Sequence, residues 1–199
     1  APRGRKERRM GERLYRTKNG INIYSYKNEN AHSFFISMFL RAGSMFEEES
    51  EAGITHFLEH VSIRNVNALY GEELYRMLDR YGLEFNASTF AEMVQFYVSG
   101  SPKNFAIGAG MLASVMSPIV LDAASVSTER DRIKAEIREA DEKNSLAAFA
   151  GSVVFGDTSL ARSITGTAKT VSRITKKRLE EYRKRVMTSG NIFFYVTGN

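Results

Sequence analysis

Apolar and polar positions alternate over residues 14–28, in two short runs that meet at Asn19 and Gly20. Alternation with a period of two is typical of a strand with one buried face, and Asn-Gly is a strong signal for a tight hairpin turn. The apolar run SFFISMFLRAGS, residues 33–44, predicts a strand that is buried on both faces and ends at Gly43. The pattern therefore predicts a hairpin followed by a central strand.

The hydrophobic period then changes from that of a strand to that of a helix. Over about residues 51–63 the apolar positions recur at helical spacing and predict an amphipathic helix; they are Ile54, Phe57, Leu58 and Val61. Residues 71–82 predict a second helix, which Gly82 ends. Its inward side chains are Leu74, Met77 and Leu78.

The rest of the chain continues to alternate between the two kinds of element. Residues 84–100 are rich in aromatic and β-branched side chains and predict a strand or hairpin at a sheet edge. Residues 104–119, after Pro102, predict a helix, and Ser127 opens a long polar helix by its capping pattern. Further on, the pattern predicts a helix over residues 175–187 and a strand over residues 191–199. This order predicts an α+β fold in which helices pack on one face of a mainly antiparallel sheet.

Composition indicates an ordinary folded domain. The chain has 199 residues, of which 43% are hydrophobic, so we expect residues 17–199 to form a single domain around one core. No apolar run reaches the roughly 18 residues of a membrane span, and the N-terminus lacks the apolar centre of a signal peptide, so we expect no membrane partner and no export. The absence of cysteine excludes disulfides and thiolate ligands and favours a cytoplasmic location.

The net charge of +5 is concentrated at the N-terminus. Residues 1–18 hold eight Lys or Arg against two Glu, a surplus of six, so the rest of the chain carries −1. Short basic tails are more often solvated than bound to nucleic acid. We therefore predict a flexible basic arm over residues 1–16 and no nucleic-acid partner. A nucleic-acid-binding module that works through this arm is the rival hypothesis.

Two of the three histidines stand four residues apart, with a glutamate directly before the second: they are His56, Glu59 and His60. At about 100° per residue the three side chains point to one side of the predicted helix. Two imidazoles at this spacing can hold one zinc ion, and the carboxylate beside them can act as a general base toward water. In a chain so poor in histidine this pattern favours a metal site over structural histidines. His32, in a predicted polar turn, has no such support.

A zinc hydrolase site needs a third protein ligand and leaves the fourth position to water. Because the chain has no cysteine, the candidates are His32 and the carboxylates of the long polar helix. Glu129 and Glu136 lie seven residues apart and so share one helix face, while Glu139 and Glu142 lie on neighbouring faces. Spacing alone leaves the choice open.

The stretch AGSMFEEESEAGITHFLEH, residues 42–60, is similar to the signature of the pitrilysin/insulinase family of inverted-motif (HxxEH) zinc peptidases. Three later stretches resemble family segments as well, so the resemblance covers about residues 12–199; they are NASTFAEMVQFYVSG, LARSITGTAKTVSRIT and NIFFYVTGN. The resemblance implies the metallohydrolase fold of the processing peptidases, one Zn²⁺ per chain, and zinc metalloendopeptidase activity.

The resemblance also implies roles for particular residues. The family's third zinc ligand follows the second histidine at the distance at which Glu136 follows His60, so the implied metal ligands are His56, His60 and Glu136. Glu59 corresponds to the general base. Glu129 corresponds to a further family glutamate, implied to act at the catalytic site by orienting His60 or tuning its charge. The residues implied to bind the extended substrate are Asn86, Ala87, Ser88 and Thr89.

Two departures from the family pattern bear on function. The run VSIRNV, residues 61–66, replaces a Met-Leu-Phe-Lys-Gly-Thr-like run, so the segment beside the site differs. The chain also has the length of one half of a typical member, whose second half supplies an Arg and a Tyr that hold the substrate carbonyl. The resemblance therefore implies a dimer, and we expect a heterodimer with a second half-size homologous chain; a homodimer or a shortened piece of a longer chain would also fit the length.

Such an enzyme would hydrolyse unfolded or short peptides, and leader-peptide processing would suit a half-size chain. The alternative is a non-catalytic structural or assembly subunit of the same fold. Members of that kind usually lose a ligand or the base, and this chain keeps both histidines and both glutamates.

Overall fold

The computed structural model describes residues 12–143 and 146–199, and six strands of this part of the chain form one sheet. In chain order they are β1 (Glu12–Arg16), β2 (Asn22–Lys27), β3 (Phe34–Leu40), β4 (Leu83–Thr89), β5 (Val94–Gly100) and β6 (Ile192–Gly198). Across the sheet the order is β1-β2-β6-β3-β5-β4. Neighbouring strands are antiparallel except for the parallel pair β2 and β6, so the mainly antiparallel sheet is confirmed.

The same residues form seven α-helices, which confirms the α+β prediction. They are α1 (Ile54–Leu69), α2 (Leu74–Tyr81), α3 (Phe105–Ala113), α4 (Ala123–Lys143), α5 (Leu146–Phe155), α6 (Ala168–Arg173) and α7 (Lys176–Val186). α2 ends as predicted, with Gly82 in the left-handed conformation. None of the described helices combines the length and the apolar character needed to cross a membrane.

The predicted N-terminal hairpin is present and changes the limit of the arm. β1 pairs with β2, and the turn between them closes with the Gly20 N–H donating to the Thr17 carbonyl oxygen at 3.0 Å. Residues 12–16 of the predicted arm form β1, because the hairpin register pairs them with β2, and the flexibility of the arm stays a prediction. The remainder of the predicted arm, residues 1–11, lies outside the described residues.

The long polar helix starts earlier than the sequence pattern predicts. α4 begins at Ala123 and not at Ser127, because the Asp122 carboxylate accepts the backbone N–H of Ser125 at 2.7 Å. This bond satisfies one of the free donors of the first turn. The patterns also missed α5 and α6; α6 is six residues long and is capped by the Thr167 side chain.

α1 contributes to two apolar clusters. The first fills the space between one face of the sheet and α1 to α3, and the second joins α1 to α4, α6 and α7. Phe57 and Val61 are fully buried in the second cluster with Ile133 of α4 and Leu179 of α7. The burial of these side chains leaves the histidine side of α1 facing β4 and α4.

The opposite face of the sheet carries aromatic side chains. Phe39 stacks on Phe193 with ring centroids 4.9 Å apart, and Tyr24 meets Phe193 edge-on at 5.9 Å. Phe35 and Tyr97 stack at 5.3 Å. A groove of about 1050 Å³ at this face is lined mainly by residues of β1, β2 and β6. Its lining includes none of the predicted site residues, so the groove and the chemistry lie in different places.

Candidate metal centre

The N-terminus of α1 is held by a buried carboxylate. Glu47 accepts the backbone N–H groups of Gly53 and Thr55, each at 2.8 Å, and so satisfies two donors at the start of the helix. Burial raises the pKa of Glu47, although the hydrogen bonds from Thr55 and Gly53 oppose the rise. The Glu47 carboxylate therefore holds the backbone at the start of α1, directly before the first histidine.

Residues of helix α7 also hold the N-terminal end of α1 in place. Thr55 Oγ1 and Tyr182 Oη lie 2.6 Å apart, and burial raises the pKa of Tyr182 to about 12, so the phenol keeps its proton. The buried Glu51 carboxylate pairs with Arg178 and lies 2.8 Å from Arg185 Nη2. These contacts anchor the first turn of α1 to a helix far away in the chain.

Two glycines allow a second segment to approach the start of α1. Gly53 and Gly166 both have a positive φ, of 90° and 70°, which other residues rarely adopt. A Cβ at Gly53 would lie 2.5 Å from the Thr165 carbonyl oxygen, and one at Gly166 would overlap the Ala52 carbonyl oxygen. The glycines therefore permit a close backbone contact directly before the predicted metal ligands.

Three side chains from α1 and α4 converge on one point. His56 Nε2 lies 3.1 Å from Glu136 Oε2, and His60 Nε2 lies 3.5 Å from Glu136 Oε1. One ligand atom from each residue lies within 4.8 Å of the other two. Ligands arranged tetrahedrally at about 2.1 Å from a zinc ion lie about 3.4 Å from one another, so the donor types and their spacing fit zinc.

The other candidates for a third ligand do not join this group. His32 is exposed in the turn before β3, and Glu139 follows Glu136 on α4; neither belongs to the metal-binding group that the described residues form. Glu142 lies outside the residues whose side chains are described. Of the acids that spacing left open, the structure brings Glu136 to both histidines.

Glu129 lies behind the second histidine. Its side chain is 3% exposed, its Oε2 lies 3.6 Å from His60 Nδ1, and its Oε1 lies 3.2 Å from Arg132 Nη1. Burial favours a higher pKa for Glu129, but the contacts with His60 and Arg132 outweigh burial and hold the pKa below its ordinary value. An ionised carboxylate on the far nitrogen of a ligating histidine orients the ring, which is a supporting position and not a ligand position.

Glu59 lies beside the first histidine and outside the group of three ligands. Its Oε2 accepts a hydrogen bond from Thr89 Oγ1 and lies 3.6 Å from His56 Nδ1. Burial alone would raise the pKa of Glu59, but the contacts with His56 and Thr89 hold it below 4.5. Near neutral pH the side chain is therefore a carboxylate that can accept a proton.

The pKa of His56 also reflects these carboxylates. Burial lowers the pKa of His56, but contacts with Glu59 and Glu136 more than offset this effect and raise the pKa above 6.5. In the metal-free protein a proton therefore competes with a metal ion for this imidazole.

The four predicted substrate-binding residues are the last four of β4, which lies at one end of the sheet. Their side chains alternate between the two faces of the sheet, so those of Ala87 and Thr89 lie toward α1 and those of Asn86 and Ser88 lie away from it. The Asn86 side-chain oxygen accepts the Ala87 N–H at 2.8 Å. Substrate binding by this strand stays a prediction.

Sequence reasoning missed the residues that hold α1 in place. Glu47 lies inside an acidic run that is typical of a solvated loop, and 127 residues separate Tyr182 from Thr55. The contact between Thr89 and Glu59 was missed because the two residues lie in different elements. The position of Glu47 within the family-like stretch 42–60 is the one feature of the sequence that could have indicated its role.

Residues 22–168 match the family described as Insulinase (Peptidase family M16). A Rickettsia felis protein named an uncharacterized zinc protease is 26% identical over 188 residues, which are 94% of this chain and 46% of that protein. The mitochondrial-processing peptidase subunit beta of Saccharomyces cerevisiae is 26% identical over 174 residues, which are 86% of this chain and 38% of that protein. The chain thus spans less than half the length of these two relatives.

The fold has solved counterparts. The crystal structure of a protease from Helicobacter pylori superposes with a TM-score of 0.82 at 20% sequence identity, and the match covers 94% of this chain and 46% of the other. At this identity the likeness establishes the fold alone.

Proposed function

The chain belongs to the insulinase family (peptidase family M16), and we propose that it is the metal-binding half of a zinc-dependent endopeptidase. The observation that carries the proposal is the convergence of His56, His60 and Glu136, with the Glu59 carboxylate beside them. The named relatives, among them a zinc protease and a processing peptidase subunit, support the same reaction class.

In this proposal zinc is held by His56 and His60 from α1 and by Glu136 from α4. A bound zinc ion supplies Lewis-acid chemistry that polarises the scissile peptide carbonyl. Glu129 keeps the His60 ring oriented through its Nδ1 atom, and the anchored first turn of α1 keeps the His56 ring in position. The protein residues thus define the donor geometry in advance.

Glu59 is the proposed general base. It takes the proton of the water molecule that attacks the carbonyl carbon, and it then gives this proton to the amine that leaves when the C–N bond breaks. Its lowered pKa keeps the side chain ionised near neutral pH, and its position beside the ligands suits the first of these steps. The site therefore needs no further proton carrier.

The proposed substrate is an unfolded or short peptide that lies extended along the edge of β4. Main-chain hydrogen bonds to a strand edge can recognise such a peptide with little dependence on sequence, and this mode of recognition favours unfolded peptides over folded proteins. Leader-peptide processing is one task of this kind. A second homologous half, in the same polypeptide or as a partner chain in a heterodimer, is proposed to supply an Arg and a Tyr to the substrate carbonyl.

The test is the metal content of the purified chain by elemental analysis, for the wild type beside Glu136→Gln, Glu59→Gln and a control, Asp131→Asn, on the exposed side of α4. We expect about one zinc per chain in the wild type, in Glu59→Gln and in the control, and less in Glu136→Gln. A wild type that binds no zinc after reconstitution would overturn the proposal in favour of a structural subunit.

The reaction itself is tested with quenched fluorescent peptides. We expect cleavage by the wild type in the presence of the second half, and loss of cleavage in Glu59→Gln, which still binds zinc. If the isolated chain at nanomolar concentration cleaves at the full rate, the need for a second half is contradicted.

A further inference from the structure

The edge of β4 presents the backbone groups of alternate residues. In the register of β4 with β5, Asn86 lies opposite Tyr97 and Thr89 opposite Val94. The turn that follows closes with the Phe90 N–H donating to the Met93 carbonyl oxygen at 2.8 Å, so even-numbered residues form the hydrogen-bonded pairs with β5. The N–H and C=O groups of the odd-numbered residues of β4 therefore point away from the sheet.

The contact of Ala87 is consistent with this alternation. Its N–H donates to the Asn86 side-chain oxygen and not to β5. Thr89 has the same parity as Ala87, so its backbone groups also lie on the open edge. β4 has β5 as its neighbour on one side and ends the order of the described sheet on the other. An extended peptide that adds to this edge would therefore meet the main chain of Ala87 and Thr89.

The side chain of Thr89 points in another direction. It lies on the α1 side of the sheet, where its hydroxyl donates a hydrogen bond to Glu59 Oε2. The Glu59 side chain is 12% exposed. One residue thus offers its backbone to the peptide-accepting edge and its hydroxyl to the proposed base.

We propose that Thr89 is a positioning residue that couples the peptide-accepting edge of β4 to the carboxylate of Glu59. The inference rests on the proposed function and deepens it. A peptide paired with the Thr89 backbone restrains that residue, and the hydroxyl then holds Glu59 at a set distance from the peptide carbonyl. The side chain of Thr89 acts through Glu59 and does not itself contact the substrate, so this role is added to the main-chain role that the resemblance implies for the residue.

The kinetic test compares Thr89→Val, which keeps the shape and removes the hydroxyl, with Thr89→Ser, which keeps the hydroxyl. We expect Thr89→Val to lower kcat about 10- to 100-fold with KM within about twofold, since general-base catalysis is worth roughly 100- to 10,000-fold in all. Thr89→Ser should stay within about threefold of the wild type. Thr197→Val, the same replacement in β6, is the matched control and should leave kcat unchanged.

Zinc content should be the same in all of these proteins, so that a lower rate cannot be assigned to lost metal. Equal kcat in Thr89→Val and the wild type would overturn the proposal. A rise in KM with kcat unchanged would overturn it as well, because it would mean that the side chain binds substrate.

A second test does not depend on activity. The urea midpoint of unfolding is measured for the isolated chain as wild type, Thr89→Val, Glu59→Ala and the double variant. We expect Thr89→Val to lower the midpoint in the wild-type background and to have a smaller effect in the Glu59→Ala background. Additive effects would overturn the contact and with it the positioning role.

The two tests separate the failure of this inference from the failure of the proposed function. If the wild type with its second half cleaves no peptide, the proposed function fails, and the unfolding cycle alone then decides whether Thr89 holds Glu59. If the wild type cleaves peptides and Thr89→Val behaves as the wild type, the proposed function stands and this inference falls.

Discussion

At the scale of single residues, each ring nitrogen of the two histidines faces a carboxylate oxygen. His56 lies between Glu136, at 3.1 Å from Nε2, and Glu59, at 3.6 Å from Nδ1. His60 lies between Glu136, at 3.5 Å from Nε2, and Glu129, at 3.6 Å from Nδ1. The Nε2 atoms therefore converge on the shared acid, and the two Nδ1 atoms face acids of their own.

Glu129→Gln keeps the shape of the buried side chain and removes its charge, so we expect zinc affinity to fall. The loss should be about 10- to 100-fold, as is usual when the partner of a metal-ligating histidine is changed. Competition with a chromophoric chelator measures the affinity, and Asp131→Asn on the same helix is the control. Unchanged affinity in Glu129→Gln would contradict the orienting role.

The raised pKa of His56 predicts how the stability of the metal-free chain depends on pH. The extra stability from protonated His56 is fully present below the unfolded pKa of 6.5 and is lost as pH rises through the higher folded pKa. The contributions of Glu59 and Glu129, whose pKa values are lowered, are present above 4.5 and are lost as pH falls below it.

Urea unfolding of the wild type and His56→Asn, with a chelator present, tests this pH dependence above about pH 5.5. The difference in unfolding free energy should be largest at the acid end and should shrink as pH rises. His32→Asn, in an exposed turn, is the control. A difference that grows with pH would contradict the assignment.

At the scale of elements, α1 positions two of the proposed zinc ligands and the proposed base. Its apolar side is buried in the cluster that it shares with α4, α6 and α7, and its N-terminus is held by Glu47 and Tyr182. A helix held along one side and at one end cannot rotate, so the histidines keep their direction toward α4.

Glu47→Ala removes the acceptor of two backbone N–H groups at the start of α1. Because buried donors left without a partner are costly, we expect a loss of about 1 to 3 kcal/mol in the free energy of unfolding. Urea denaturation measures the loss, and Glu48→Ala, at the exposed neighbouring position, should change stability by less than about 0.5 kcal/mol. Equal effects of the two substitutions would contradict the anchoring role.

At the scale of the whole molecule, one helix leaves a large apolar surface in water. In α5 the side chains of Leu146, Phe149, Val153 and Val154 are 81%, 67%, 67% and 71% exposed. This helix follows α4, which carries Glu136, and it has no charged residue. Contiguous exposed apolar residues of this kind are typical of surfaces that another protein element covers.

The exposed helix predicts a measurable property of the isolated chain. Phe149→Ser combined with Val153→Ser should lower the fluorescence of a dye that binds apolar surface, and should shift the unfolding free energy by less than about 1 kcal/mol because both side chains are exposed. Tyr75→Ser, at an exposed site on α2, is the control and should change the dye signal less. An unchanged dye signal in the double variant would contradict an accessible apolar face.

The parts of the fold that depend on neighbouring residues could be predicted from the sequence. The hairpin at Asn19 and Gly20, the helix with His56 and His60, and the stop of α2 at Gly82 follow from local spacing and turn chemistry. The capping pattern at Ser127 predicts too late a start for α4, because the Asp122 side chain, five residues earlier, caps the helix. Local rules thus identify an element more reliably than they identify its first residue.

The donor groups of the site can be identified from the residues alone, because two imidazoles and a carboxylate share one helix face in a chain without thiolates. The side chains that these groups contact depend on how the elements pack together. This packing brings Glu136 to both histidines, Glu129 to His60 and Thr89 to Glu59. The paired residues lie too far apart in the chain for the periodicity of a helix or a strand to relate them. The physical reason is that backbone geometry sets the direction of a side chain within its own element, whereas packing of the apolar clusters sets which elements become neighbours.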